Sequence, residues 1–322
     1  MKLLESTVRK AIQKSLDTNW RDARRWFHGR GRTFPGFEQV TVDWYSPVIW
    51  ITFFKPQLDQ SGETDVCATH QFEQQVVATI LDIREGFSDR LSVQAVMVQR
   101  RYLQDAPAEC YWGALPEQMF AYRGDSRYLV QLGGRQNTGF FLDMEPGRRW
   151  LEGLVKGRNV LNLFAYTCAF SVVAQQAGAT SVVNVDMSRG ALNQGRENHR
   201  LNHLNTDSIR FLQENILKSW GRIRRPGPYD VALIDPPSFQ RGSFVAERDY
   251  AKLIRRIPQL MNPGADILLC LNAPELDTSF LKQLVERECP ECVFIGRLPA
   301  SEEFPDQDPE QQLKLLHYRY QP

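Results

Sequence analysis

No stretch of this 322-residue chain approaches the ~18 uninterrupted apolar residues that a membrane-spanning helix requires. The opening Met1-Lys-Leu-Leu-Glu-Ser-Thr-Val-Arg-Lys10 carries charges throughout and lacks the apolar centre of a secretory signal. It reads as the start of an amphipathic helix. Charge of one sign is scarce as well: 39 Lys and Arg stand against 38 Asp and Glu, a formal net charge of +1. A nucleic-acid partner would therefore have to be held by a local basic patch rather than by the charge of the whole chain. Cysteine is sparse and scattered, at Cys67, Cys110, Cys168, Cys270, Cys289 and Cys292. That pattern fits free thiols in a reducing cytoplasm, not a disulfide framework. Only Cys289-Pro-Glu-Cys292 has metal-ligand spacing. It has no second Cys or His pair to complete a zinc site, and the 5 histidines are unpaired, so no metal is expected.

What is present is the composition of an ordinary globular protein, 42% hydrophobic and 24% charged, long enough for two domains. Residues 1–40 combine a helical pattern with an arginine-rich segment from Trp20 to Arg32. Residues 41–125 hold β-rich runs such as Val48–Phe54 and Leu91–Val98 around a helical stretch, Phe72–Leu81, and predict a small α+β domain. The stretch from Ala106 to Glu117 has the composition of a loop. From residue 126 to 322, strand candidates alternate with helices. They are Val160–Phe164, Thr180–Val185, Ile209–Leu212, Tyr229–Ile234 and Ala265–Leu271, with helices over Ser171–Ala177 and Ser188–Leu201. This alternation predicts an α/β domain with a parallel sheet covered on both faces. Gly178 is placed to end the first of those helices.

Such sheets bind ligands at the carboxyl ends of their strands. There the chain places Asp186, which can accept both ribose hydroxyls of a nucleoside cofactor or serve as a helix cap. The first strand-to-helix loop, Ala165-Tyr-Thr-Cys-Ala-Phe170, contains no glycine. A pyrophosphate needs close backbone approach at that turn, so the loop weighs against NAD and for a phosphate-free cofactor such as S-adenosylmethionine. After the next buried strand comes Asp235-Pro-Pro-Ser-Phe239. Its prolines stiffen a rim that can accept hydrogen bonds from a base, and Phe239 can stack on one; a simple strand-ending turn is the plainer reading.

These runs, Asn162-Leu-Phe-Ala-Tyr-Thr167, Val185-Asp-Met-Ser188, Glu197-Asn198 with Leu201-Asn202, and Asp235-Pro-Pro-Ser-Phe239, resemble the bacterial 23S ribosomal RNA methyltransferases that make 7-methylguanine or 5-methylcytosine. Asn137-Thr-Gly-Phe-Phe-Leu-Asp143 with Arg148 resembles the segment ahead of their first core strand. The resemblance covers about residues 126–275. It implies a class I, Rossmann-like methyltransferase domain with a seven-stranded sheet and one antiparallel strand near its end. It also implies S-adenosylmethionine as cofactor and RNA, 23S ribosomal RNA in particular, as partner. Carried over by position, it puts Phe140 and Asp143 beside the cofactor, and Asn162, Phe164 and Tyr166 under its methionine part. Asp186 and Met187 fall at the ribose and Asn215 near the adenine. Asp235, Pro236, Phe239 and Asn272 align the base. Departures are Asn215 for Asp, Cys168 for Gly and Glu145 for Arg.

Methylating carbon-5 of cytosine needs a cysteine that adds to the ring. Where cytosine-methylating relatives carry Ser-Cys, this chain has Asn272-Ala273, and Cys270 sits inside the strand as a core thiol would. Ring nitrogens and exocyclic amines of guanine or adenine need positioning and little else, which favours methylation of nitrogen, with guanine as the first choice. Three readings stay open beside it: carbon methylation through Cys270, methylation of a protein or small molecule, and a non-catalytic RNA-binding factor. The five arginines of 20–32, interleaved with Trp20, Trp26, Phe27 and His28, read either as an RNA contact or as a solvated connector. Arg222-Ile-Arg-Arg225 reads as a surface loop near the site, with RNA contact as the lesser reading.

Overall fold

The computed structural model describes residues 1–59, 61–133, 137–240 and 244–322, and the chain forms two compact units. The first comprises Met1–Leu142 and Glu302–Gln307. It contains α1 (Lys2–Asp17), β1 (Arg24–His28), β2 (Val40–Tyr45), β3 (Val48–Phe53), α2 (Val66–Gly86), β4 (Ala95–Arg100) and β5 (Ala108–Gly113). The five strands pair in chain order; only β3 and β4, joined across α2, are parallel. One helix face seals the core in each case: Leu4, Val8 and Ile12 from α1, and Val76, Ile80 and Ile83 from α2, at the spacing of one helical turn. A separate hairpin, β6 (Met119–Arg123) and β7 (Ser126–Val130), also belongs to this unit.

Two stretches are more ordered than their composition suggests. β5 occupies half of the expected loop at 106–117, its part-exposed residues recruited by backbone pairing with β4. The arginine-rich segment is no solvated connector. It contains β1, with Trp26 stacked on Trp44 at 4.9 Å between ring centres and Phe27 buried. Arg25 donates to both carboxylate oxygens of Asp43 at 2.7 and 3.0 Å. The aromatic rings supply buried area, and carboxylates take up the guanidinium charge.

The second unit, Asp143–Ser301 with Asp308–Pro322, is a doubly wound α/β domain. Its first half runs α3 (Glu145–Glu152), β8 (Asn159–Leu163), α4 (Ala169–Gln176), β9 (Ser181–Asp186), α5 (Arg189–Leu201), β10 (Ile209–Gln213), α6 (Trp220–Arg224) and β11 (Tyr229–Ile234). A short β12 (Phe239–Gln240) and β13 (Phe244–Val245) follow, then α7 (Ala246–Ile254), α8 (Ile257–Leu260), β14 (Met261–Leu271), α9 (Thr278–Glu288), β15 (Cys292–Arg297) and β16 (Lys314–Tyr320). The seven-stranded sheet has the order β10-β9-β8-β11-β14-β16-β15, and β16 runs opposite to the other six strands.

Alternation along the strands sorts the two faces. Val160, Val182, Val231, Leu233 and Leu268 pack under α3 and α4. Leu161, Leu163, Val183, Val185, Ala232 and Ile234 pack against α6 to α9. Near-continuous apolar strands are what burial on both faces requires. Gly178 follows α4 with φ +86°, the left-handed turn expected of it. The expected surface loop at 222–225 is instead largely α6, because Ile223 is fully buried and anchors it to the sheet.

Candidate functional site

The switch point lies between β8 and β11, where the order of the parallel strands reverses. Around it, the residues from 162 to 168, 186 to 188, 213 to 215, 235 to 239 and 271 to 274 all follow or end strands at the same edge of the sheet.

After β8 the backbone turns sharply. Phe164, Tyr166 and Cys168 have φ of +59°, +46° and +59°, although none is glycine. Each such residue costs about 1–3 kcal/mol, and such outliers persist where the surroundings over-determine them. Here the surroundings are specific. Asp186 accepts the Tyr166 N–H at 2.9 Å, the Ala165 N–H reaches the Val185 carbonyl at 3.1 Å, and the Asn198 amide holds the Thr167 carbonyl at 2.9 Å. Phe164 lies edge-on to Phe244 at 5.2 Å. Gly195 of α5 passes so close that an added Cβ would lie 2.5 Å from Cys168 Sγ.

Beneath the loop runs a chain of buried polar groups. Asn162 Nδ2 donates to Asn184 Oδ1 at 2.9 Å, and Asn184 Nδ2 donates to Ser171 Oγ at 2.9 Å. Ser171 meets His199 Nε2 at 2.9 Å, while His199 Nδ1 meets the Gly195 carbonyl at 2.7 Å. A carbonyl only accepts, so Nδ1 carries the proton. Burial holds the imidazole below its ordinary pKa, so Nε2 is left to accept from the serine hydroxyl. Asn184, Ser171 and His199 escape a motif reading; a polar residue at the centre of each of two apolar strands is the signal that betrays them.

Asp186 ends β9 half-buried, with Oδ2 bound to the Tyr166 N–H and Oδ1 to the Ser188 N–H at 2.8 Å. Ser188, not Asp186, caps α5, its side chain accepting the Ala191 N–H at 3.2 Å. Met187 beside it is 45% exposed. Asn215 follows β10 half-buried, next to Glu214, whose N–H bonds the Asp186 carbonyl at 3.0 Å. Asp186, Met187 and Asn215 therefore lie at the ends of two neighbouring strands. Phe140 belongs to the first unit, with its ring 4.7 Å from that of Tyr128.

Asp235 follows β11 on the face covered by α3. Burial, with the nearby Asp143 carboxylate, pushes its pKa up to about 7, against the pull of Arg148. Arg148 is 2% exposed and spreads over Phe170 at 5.9 Å. Pro236 is buried, whereas Phe239 is 69% exposed. Asn272 projects to solvent just after β14, and its carbonyl accepts the Ser238 hydroxyl, tying the two rim segments together. Cys270 is fully buried, and burial with the charges of Asp235 and Asp143 pushes its thiol well above the ordinary range. Among the described residues, no group of three or more His, Cys, Asp or Glu could hold a metal ion, and no helix is long and apolar enough to cross a membrane.

The edge fits S-adenosylmethionine on its own terms. Each oxygen of Asp186 spends one lone pair on a backbone N–H and keeps another to accept a ribose hydroxyl. The left-handed turns at 164–168 shape a loop crowded with side chains, which suits a ligand without phosphates.

A family model described as S-adenosylmethionine-dependent methyltransferase matches residues 24–319. The chain is 38% identical over 46% of its length to the ribosomal RNA large subunit methyltransferase K/L of Shewanella pealeana, of which it covers 21%. It is 35% identical over 52% of its length to the ribosomal RNA large subunit methyltransferase I of Shewanella frigidimarina, of which it covers 46%. The chain thus spans less than half the length of either relative. In fold, it matches a protein from Streptococcus mutans proposed to be a sam-dependent methyltransferase, with a TM-score of 0.83 at 23% identity, over 99% of this chain and 81% of that one. With the family model spanning nearly the whole sequence, this chain belongs to the S-adenosylmethionine-dependent methyltransferases.

Proposed function

We propose that this methyltransferase modifies a nitrogen of a base, guanine foremost, in large-subunit ribosomal RNA in the cytoplasm. The observation that carries the reading is the rim of Asp235, Pro236, Phe239 and Asn272. It carries an aromatic ring 69% exposed four residues on from a carboxyl group whose pKa is pushed up to about 7. An exposed ring at a sheet edge is what stacking on an unpaired base requires. The names of both relatives, which act on ribosomal RNA, support the substrate class.

S-adenosylmethionine supplies a methyl group on a sulfonium, a leaving group that needs no acid. The rest falls to positioning. Asp186 and Met187 hold the ribose side, and Asn215 the adenine side. Asn162, Phe164 and Tyr166 fix the loop beneath the methionine part, with Asp143 flanking it. Phe239 stacks on the base, Asn272 contacts its edge, and Asp235 accepts a hydrogen bond from an amino or imino group. Where the attacked nitrogen carries a proton, a carboxylate with a pKa near 7 is matched to receive it.

Carbon methylation is disfavoured by Cys270, whose thiol is sealed in the sheet and held protonated. Mass spectrometry of ribosomal RNA nucleosides from cells with and without the gene tests the proposal. Loss of one methylated guanosine is the expected result. An unchanged nucleoside profile would overturn it.

A further inference from the structure

Lys314, the first residue of β16, has no exposed surface. Its ammonium donates to the carbonyl of Ala273 at 3.0 Å, to that of Gln312 at 3.2 Å and to that of Glu310. All three N–H groups thus go to backbone oxygens. The carboxylates of Glu310, Glu275 and Asp277 act on it through space, and burial still pulls its pKa below that of an ordinary lysine. A buried charge held by carbonyls alone is costly, and an apolar side chain of similar length fills such a space without that cost.

The turn that Lys314 grips is the one leaving β14. Ala273 points inward, 1% exposed, while Asn272 points out to solvent. The preceding carbonyl, of Asn272, is held from the other side by the Ser238 hydroxyl. Two successive peptide planes are therefore pinned from opposite directions, one by β16 and one by the Asp235-Pro-Pro-Ser-Phe239 segment. These two planes flank the Cα of Ala273; the first of them also carries the Asn272 Cα, and with Leu271 held opposite Lys314 in the β14–β16 ladder the Asn272 side chain leaves a backbone fixed on both sides.

We infer that Lys314 is a positioning residue for the base-binding rim, orienting Asn272 and, through Ser238, the segment that carries Phe239. The inference rests on the substrate reading above. Among the described residues, the hydrogen bonds of Lys314 go to Ala273, Glu310 and Gln312 and to no candidate cofactor residue, so it acts on the methyl acceptor's side of the site.

The test compares Lys314→Met and Ser238→Ala with the unmodified protein, using S-adenosylmethionine and a 23S ribosomal RNA transcript. For Lys314→Met, kcat falls at least 30-fold while the calorimetric Kd for S-adenosylmethionine stays within threefold. Amide exchange quickens at residues 236–239 and 271–275. Ser238→Ala lowers kcat about 3- to 10-fold, and the double variant is no worse than Lys314→Met alone, because the two grips fix the turn only together. An unchanged kcat and exchange pattern in Ser238→Ala would overturn the inference even if Lys314→Met fails to fold. So would loss of cofactor affinity in step with activity, which marks general packing. Failure of the unmodified protein to methylate RNA would sink the substrate reading instead, and the exchange data would still decide whether Lys314 holds the turn.

Discussion

Gly195 and Cys168 are in such close contact that a β-carbon at 195 would lie 2.5 Å from the thiol sulfur and 2.9 Å from its Cβ. Gly195→Ala therefore forces α5 away from the loop after β8, at a cost of about 1–3 kcal/mol. Cys168→Gly removes the obstruction and relieves a left-handed residue with φ +59°. In thermal unfolding, the alanine variant melts several degrees lower, and the double variant recovers most of the loss. Equal losses in both would show that the contact is not what constrains position 195.

Asp186 combines a structural and a binding task. Asp186→Ala removes the acceptor for the Tyr166 and Ser188 N–H groups and for the ribose. Hydrogen bonds to a charged group contribute about 1.5–3 kcal/mol, so Kd for S-adenosylmethionine rises about 10- to 100-fold or more by calorimetry. An unchanged Kd would remove Asp186 from the site.

The Asp235 carboxyl group gives a pH signature. Its pKa lies near 7 in the folded chain, against an ordinary value of 3.8, so the folded state binds the proton more tightly. Its contribution to stability is complete below about pH 4 and is lost as pH rises through 7. The groups facing it are Asp143, Arg148, and the Cys270 thiol and Tyr250 hydroxyl, both held protonated well above that range. Asp235→Asn flattens the decline of melting temperature between pH 5 and 8. In the parent, kcat on RNA rises with pH through about 7; in the variant it is about 10²- to 10⁴-fold lower and loses that limb.

Cys270 separates nitrogen from carbon chemistry. Cys270→Ala is expected to keep kcat within threefold and to cost about 1 kcal/mol of stability for the lost sulfur contacts. Complete loss of turnover, with the fold intact by circular dichroism, would restore the cysteine-nucleophile reading.

The arginines of the first unit divide by environment. Arg21 stacks on Tyr122 at 4.1 Å and Arg30 on Phe54 at 4.3 Å, both at the surface, whereas Arg25 is paired with Asp43. Arg21→Ala and Arg30→Ala are expected each to lower the salt slope of RNA binding by about 1 without changing the melting temperature. Arg25→Ala lowers the melting temperature instead. The opposite pattern would place RNA contact on the paired arginine.

Much of the second unit was legible because its signals are local. A buried strand such as Tyr229–Ile234 announces itself as an apolar run, and Gly178 marks a helix end by its backbone freedom alone. Asp186 and Asp235 stood out by punctuating such runs. What stayed hidden depends on contacts distant in sequence. β5 looks like a loop until β4 lends it hydrogen-bond partners, and the arginines near residue 25 look solvated until Asp43 and Glu303 meet them. Lys314 is separated from Ala273 by a helix and a strand, so no motif window contains both.

The Asn162–Asn184 bond also sets a frame. In the parallel pairing of β8 and β9 the two asparagines stand opposite each other, flanked by Leu161 opposite Val183 and Leu163 opposite Val185. Strands this uniformly apolar carry little information about alignment, since valine against leucine packs acceptably in several offsets. A slip of β9 by one residue would turn Asn184 to the opposite face and strand its amide among Leu161, Leu163 and Ile234. The mispaired sheet is thereby penalised, and the amide pair acts as an alignment mark that brings Asp186 level with the loop it must meet.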